Sequence, residues 1–312
     1  MTSQVHLTGI GDEAGNPLAA QIAATKALGW KHIEMRNVEV PGFASGNVHD
    51  IPDAAFEKLV EILDTESVSV CAFGSTIGNW ASKITDDFSI TLERVQRAIP
   101  RMQRLGAKIV RVMSYAVLKD ADGNDLPDQM ASERFRRLRE IKARFDDAGI
   151  TTVHENCMNY GGMSISHALK TLENVPGLRW VFDTCNPIFN LDRDDPPHMQ
   201  DPWAFYQAVK PAISHIHIKD GVYNPAKKDA DYCLPNEGSG QVARILTDLL
   251  GSWYQGFISI EPHTAVVFHS AGQDDGMDPA AKAKQQFDSY VEYGRKMEQV
   301  LRGIPQPAAS KQ

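Results

Sequence analysis

What this chain lacks narrows the field before anything it contains. Its 312 residues hold four cysteines, Cys71, Cys157, Cys185 and Cys233, with no close paired spacing. A chain this long has no need of disulfide staples, so a reducing compartment is the simpler setting. No apolar run approaches the roughly 20 residues of a membrane span, so no membrane partner is expected. The opening stretch, Met1 to Gln4, is short and polar and runs straight into a strand pattern, unlike a secretory leader. The expected location is therefore the cytoplasm. No run of Lys or Arg offsets the formal net charge of -8, which argues against a surface that tracks nucleic-acid phosphates. A glycine-rich phosphate loop after the first strand is also missing.

What is present is an ordinary globular balance, 42% hydrophobic and 23% charged. Short β-branched runs alternate with longer amphipathic stretches. The strand candidates are Val5–Ile10, His32–Arg36, Val68–Phe73, Ile109–Ser114, Thr151–Glu155, Trp180–Asp183, His215–Lys219 and Ile258–Glu261. Between them lie helical patterns such as Pro17–Leu28, Ala54–Leu63, Ser89–Leu105, Glu133–Ala148 and Val242–Leu250. Strand-helix units of about 30 residues imply parallel strands with crossover helices. Eight of them predict an α/β fold, a single (β/α)8 TIM barrel over residues 1–303, with 304–312 as a disordered tail. An open doubly wound sheet is the competing architecture. The polar stretches Val38–Asp50 and Asp220–Gly240 read as long loops on the barrel's functional rim.

Four consecutive strand ends carry the chemistry. Glu155 ends the fifth strand, Asp183 the sixth, His217 the seventh and Glu261 the eighth. In a barrel these ends converge on one mouth. A lone acid at such a place is more often a helix cap, and a lone inward histidine is more often a packed core group. Four in succession are hard to obtain from packing needs alone. Carboxylates crowded together repel unless a cation neutralises them, and three carboxylates with one imidazole suit a borderline-hard divalent ion. Mn²⁺ is the first expectation, with Mg²⁺, Co²⁺ or Zn²⁺ as alternatives. His215 shares a face with His217, where it either orients a ligand from behind or fills the barrel.

These motifs, Glu155-Asn, Phe182-Asp-Thr, His215-x-His-x-Lys-Asp220 and Ile260-Glu-Pro-His263, resemble those of the xylose isomerase-like barrels, the sugar phosphate isomerase/epimerase superfamily. The likeness extends over essentially the whole chain, including Ile33-Glu-Met-Arg36 and the loop Pro235 to Gly240. It implies one metal held by Glu155, Asp183, His217 and Glu261, and, in the ketose 3-epimerase branch, the two glutamates as the acid/base pair. The expected reaction is isomerisation or epimerisation of a sugar, keto-sugar or sugar phosphate, by proton abstraction beside a carbonyl through an enediolate. Lys219, Asn186, His154, Arg36 and Glu237 are the expected substrate contacts. Arg111 and His263 stand close by, and Glu34 with Arg36 reads as a structural ion pair. The chain departs from the 3-epimerase pattern at Asn186, Tyr223 and Met158, where that branch has His, Arg and Glu. Two other activities compete: a metal-dependent lyase or dehydratase acting on a keto-glycoside or inosose, and, remotely, an abasic-site endonuclease. The expected partner is a small carbohydrate, with self-association into a homo-oligomer open.

Overall fold

In the computed structural model, which describes residues 5–252, 254–265 and 278–305, eight parallel strands curl into one barrel. They are β1 (Val5–Gly9), β2 (His32–Met35), β3 (Ser69–Gly74) and β4 (Ile109–Val112), then β5 (Thr151–Glu155), β6 (Arg179–Asp183), β7 (Ile213–Ile218) and β8 (Gly256–Ile260). The order is β1-β8-β7-β6-β5-β4-β3-β2. The first strand pairs with the last, Val5 opposite Gly256 through Gly9 opposite Ile260. That pairing rules out the open sheet. Between β1 and β2 the ring is held by a single bridge, Ile10 to Glu34, and by Thr8 Oγ1 donating to the His32 carbonyl at 2.8 Å.

The strands follow the pleat, with alternate side chains on opposite faces. Along β7, Ile216 and Ile218 face outward and are buried with Phe205, Tyr206, Leu246, Leu249 and Met297 of the surrounding helices. His215 and His217 therefore face inward. The outer ring consists of α1 (Leu18–Ala27), α2 (Asp53–Glu66), α3 (Phe88–Leu105), α4 (Ala131–Asp147), α5 (Ile165–Asn174), α6 (Pro202–Val209), α7 (Val242–Ser252) and α8 (Pro279–Gly303). Four of them begin on a side-chain cap: Asp87, Ser164, Asp201 and Asp278 each accept a first-turn N–H.

The two long rim segments contain more order than their composition suggests. Asp220–Asn224 and Asp229–Cys233 pair as an antiparallel hairpin, and Asn37–Val38 pairs with Gly46–Asn47. The larger hairpin is anchored at its base by the buried Asp220 carboxylate, which accepts from the N–H groups of Gly221, Gly238 and Gly240 at 2.9, 3.1 and 2.8 Å. A Cβ on Gly238 would lie 2.4 Å from both Asp220 Oδ1 and the Gly221 carbonyl, so only glycine permits this approach.

Ile304, assigned to the tail by its composition, is instead buried with Met297 and Trp30, because α8 runs to Gly303 and delivers it to the core. The rest of that segment, 306–312, lies outside the described residues. All four cysteines are free thiols. No helix among the described residues is long and apolar enough to cross a membrane.

Candidate metal centre

Glu155, Asp183 and His217 come from the C-terminal ends of β5, β6 and β7, and Glu261 follows β8 by one residue. One ligand atom from each lies within 4.8 Å of the others, and all four residues are buried. His217 Nδ1 is 3.5 Å from Glu155 Oε1 and 3.6 Å from Glu261 Oε2. Asp183 is aimed by its own loop: Oδ1 accepts from the N–H groups of Cys185 and Asn186 at 2.8 and 2.7 Å, which leaves Oδ2 pointing into the cluster 3.0 Å from Lys219 Nζ. Asn156 clamps the Asp183 backbone at both its N–H and its carbonyl.

Behind the ligands lies Glu34, which bridges two histidines. Its Oε2 meets His215 Nε2 at 2.7 Å and its Oε1 meets His217 Nε2 at 3.1 Å. A carboxylate on the far nitrogen fixes the ring and makes the near nitrogen a better donor to a cation. Glu34 does not pair with Arg36. Glu34 is directed at the histidines instead, beside a register irregularity where Ile33 pairs with Val70 and Glu34 with Ala72 of β3. Arg36 instead binds Asp12 at 3.0 Å, Glu13 at 2.8 Å and Glu261 at 2.9 Å. Arg111 holds Glu155 Oε2 at 2.9 Å. His263 Nε2 is 3.3 Å from both Glu13 Oε1 and Glu261 Oε1.

The charge balance tests whether this cavity fits a metal. Among the described residues, six carboxylates, Asp12, Glu13, Glu34, Glu155, Asp183 and Glu261, are buried with three obligate cations, Arg36, Arg111 and Lys219. The remainder must come from protons or from a divalent ion. Without an ion the protons gather at the ligands. Burial disfavours the His217 cation, but Glu34, Glu155 and Glu261 outweigh it and raise its pKa well above the usual imidazole range. Burial raises the pKa of Asp183, and neighbouring Glu261 and Glu155 add to that while Lys219 opposes it. Glu155 and Glu261 are lowered in spite of burial, by Arg111 and His217 in one case and by Lys219, His217 and His263 in the other. His217 Nδ1 has no hydrogen-bond partner among the described residues, and Asp183 Oδ2 has the Lys219 ammonium 3.0 Å away. These two atoms beside two ionised carboxylates form a donor set that fits one divalent cation.

The other expected contacts divide. Lys219 and Arg36 line the cavity together with Glu155 and Glu261. Lys219 is almost wholly buried, 3.3 Å from Glu261, and burial is overruled there by Asp183 and Glu261, so its ammonium stays charged. Asn186 donates to Glu155 Oε1 at 3.3 Å. His154 is not brought to the site. It precedes Glu155 on β5 and so points to the other face, where Nε2 meets Ser114 Oγ at 3.0 Å and its ring packs on Trp180. Burial lowers its pKa to about 3, so it is a neutral packing group. Glu237 is also elsewhere: it is exposed and reaches Lys296 of α8 at 2.6 Å, because its loop packs outward. Sequence reasoning missed Asp12 and Glu13. They lie in the short 3-10 turn Gly11–Ala14 that follows β1, three and four residues past its last residue Gly9, on the same rim as the four ligands. Replacing Glu34 with glutamine is expected to weaken metal binding by about 10- to 100-fold, read by titration with Mn²⁺; an unchanged affinity would remove Glu34 from this role.

The sequence profile of the xylose isomerase-like TIM barrel family matches residues 22–291. No curated protein sequence matches the chain. Among solved structures, a xylose isomerase-like TIM barrel protein from Mycobacterium smegmatis in complex with magnesium is 17% identical, covers 97% of each chain and superposes with a TM-score of 0.66. A probable 3-DHS dehydratase from Bacillus anthracis is 13% identical over 95% of this chain and 98% of its own, with a TM-score of 0.61. A D-allulose 3-epimerase from a Methylomonas species, in complex with D-allulose, is 15% identical over 96% and 97%, with a TM-score of 0.60. The profile match spans most of the chain and agrees with the closed eight-stranded ring, so the chain belongs to the xylose isomerase-like TIM barrel family.

Proposed function

We propose that this chain is a divalent-metal-dependent isomerase or epimerase of a sugar, keto-sugar or sugar phosphate, working by proton transfer beside a carbonyl. The observation that carries this reading is the convergence of Glu155, Asp183, His217 and Glu261 in one buried cluster short of positive charge. These four would hold the ion, Mn²⁺ first among the candidates. Bound there, it supplies Lewis-acid polarisation of the carbonyl.

The remaining work falls to the chain. Glu155 and Glu261 are held as carboxylates by their cationic neighbours, the state needed to take a proton from carbon. They come from strands separated by two others, so they approach a substrate from different parts of the ring. One removes the proton from carbon, leaving an enediolate and a carboxylic acid. That acid returns the proton to the neighbouring carbon in isomerisation, whereas in epimerisation the other glutamate, after taking a proton from solvent, returns it on the opposite face. Asp183 and His217 act as ligands alone, and Lys219 and Arg36 present N–H donors to substrate oxygens. Elimination is the second reading. It needs an acid beside a leaving hydroxyl, and the charged Lys219 Nζ, 3.3 Å from Glu261, is such a donor.

The test is metal analysis of the purified protein, then a screen of sugars and keto-sugars in deuterated water. Deuterium at the carbon beside the carbonyl is the expected result. Loss of water in the products would favour elimination, and no exchange with any substrate would sink both readings.

A proton balance follows from the raised His217 pKa. Nδ1 must give up its proton before it binds an ion, so metal affinity is expected to climb as pH rises through neutrality and above. Calorimetric titration with Mn²⁺ in buffers of different ionisation enthalpy should show proton release at pH 7. An affinity independent of pH would contradict it.

A further inference from the structure

We infer that the substrate is a two-part molecule, a sugar at the four-ligand site joined to a second, neutral, ring-sized group lying in an adjoining groove. This inference rests on the reading above and names the substrate class for the same site. The chamber at the ligands, lined by Arg36, Arg111, Glu155, Lys219 and Glu261, has a volume of about 120 Å³. That is below the roughly 300 Å³ at which ligand pockets begin. Next to it is a groove of about 440 Å³, and Trp80 and Cys157 form walls of both spaces. A ligand seated at the metal ligands therefore has a roomy direction in which to extend, past Trp80 and Cys157.

The groove walls state what fits there. Met158, Met163, Phe189 and Leu191 make them largely apolar, and Trp80, 44% exposed, supplies an aromatic face for the C–H face of a ring. Of the two cations on the walls, Arg193 is paired with Asp125 at 3.0 Å, while Lys119, 3.9 Å from the same carboxylate, has a side chain 53% exposed to screening solvent. The wall thus offers no buried, unpaired cation for a phosphate, which favours a neutral group. The buried Asn190 lines the groove, and its Nδ2 has no partner among the described residues, leaving a donor for a hydroxyl or glycosidic oxygen.

The experiment compares methyl β-D-glucopyranoside, phenyl β-D-glucopyranoside and cellobiose on the full, Mn²⁺-loaded chain. The two larger glycosides should bind about tenfold more tightly than the methyl glycoside, and saturation-transfer NMR should reach their second ring. Ala116→Trp narrows the groove and should bring the phenyl glycoside down to the methyl glycoside's Kd. Met158→Ala, which removes apolar wall and adds no bulk, should shrink the preference by a smaller factor. Equal affinities, no binding of any of the three, or saturation confined to the first ring would overturn the inference. Deuterium exchange on a keto-sugar reports separately on the proposed reaction, so loss of the preference with exchange intact removes the groove's role alone.

Discussion

Glu155→Gln is expected to lower turnover by about 10³-fold or more, measured as kcat/KM on whichever keto-sugar the wild-type chain exchanges with solvent. Two losses combine in this variant. The amide cannot accept a proton from carbon, and it is a poorer ligand than a carboxylate, so bound metal should fall as well. The fold should survive, because the glutamine oxygen still accepts from Arg111, which holds the native carboxylate at 2.9 Å. Glu237→Gln is the matched control: that glutamate faces solvent and meets Lys296, and surface pairs of this kind contribute about 0–1 kcal/mol. If the two variants behave alike, Glu155 is not in the proton path.

The second large effect concerns stability. Arg36→Met should destabilise the chain by about 3–5 kcal/mol, the scale for removing one partner of a buried ion pair, because Asp12, Glu13 and Glu261 all lose their shared counter-ion. The loss should also depend on pH. Burial already raises the Glu13 pKa to about 8, against the opposing pull of Arg36. A group raised in the folded state contributes stability below its unfolded pKa and loses it as pH climbs through the folded one. Without Arg36 that pKa moves higher still, and the proton uptake it requires costs more at pH 8 than at pH 5. Urea denaturation of both forms at the two pH values reads this directly. A deficit under about 1 kcal/mol, or one equal at both pH values, would show that Arg36 is not the counter-charge.

Much of this site was legible because barrels place strand ends together. Glu155, Asp183, His217 and Glu261 were found from that rule alone, since each closes an apolar run at the same end of its strand. The rule was silent on direction. His154 and Glu155 are neighbours in the chain, yet the pleat sends one to the helices and the other to the mouth. Glu237 sits in a rim loop of the right composition, but its side chain turns out to α8. The pairing of Glu34 with His215 and His217 joins residues more than 180 positions apart, which no local pattern encodes. Asp12 and Glu13 lie in a 3-10 turn three and four residues past the end of β1, so a rule that looks for an acid closing an apolar run passes over them.

The obligate cations at the mouth bear on the order of assembly. Arg36, Arg111 and Lys219 sit among the ligand carboxylates as fixed parts of the chain, and the His217 proton can supply the charge beside them. The barrel can therefore close around its acids before any ion arrives, unlike small domains whose folding waits for zinc. On the proposed reading, metal would then enter a finished cavity and exchange a proton for itself. Since selectivity among divalent ions rests on geometry, ligand type and availability as well as raw affinity, a preformed cavity of this kind would take its ion according to local supply at the time of loading.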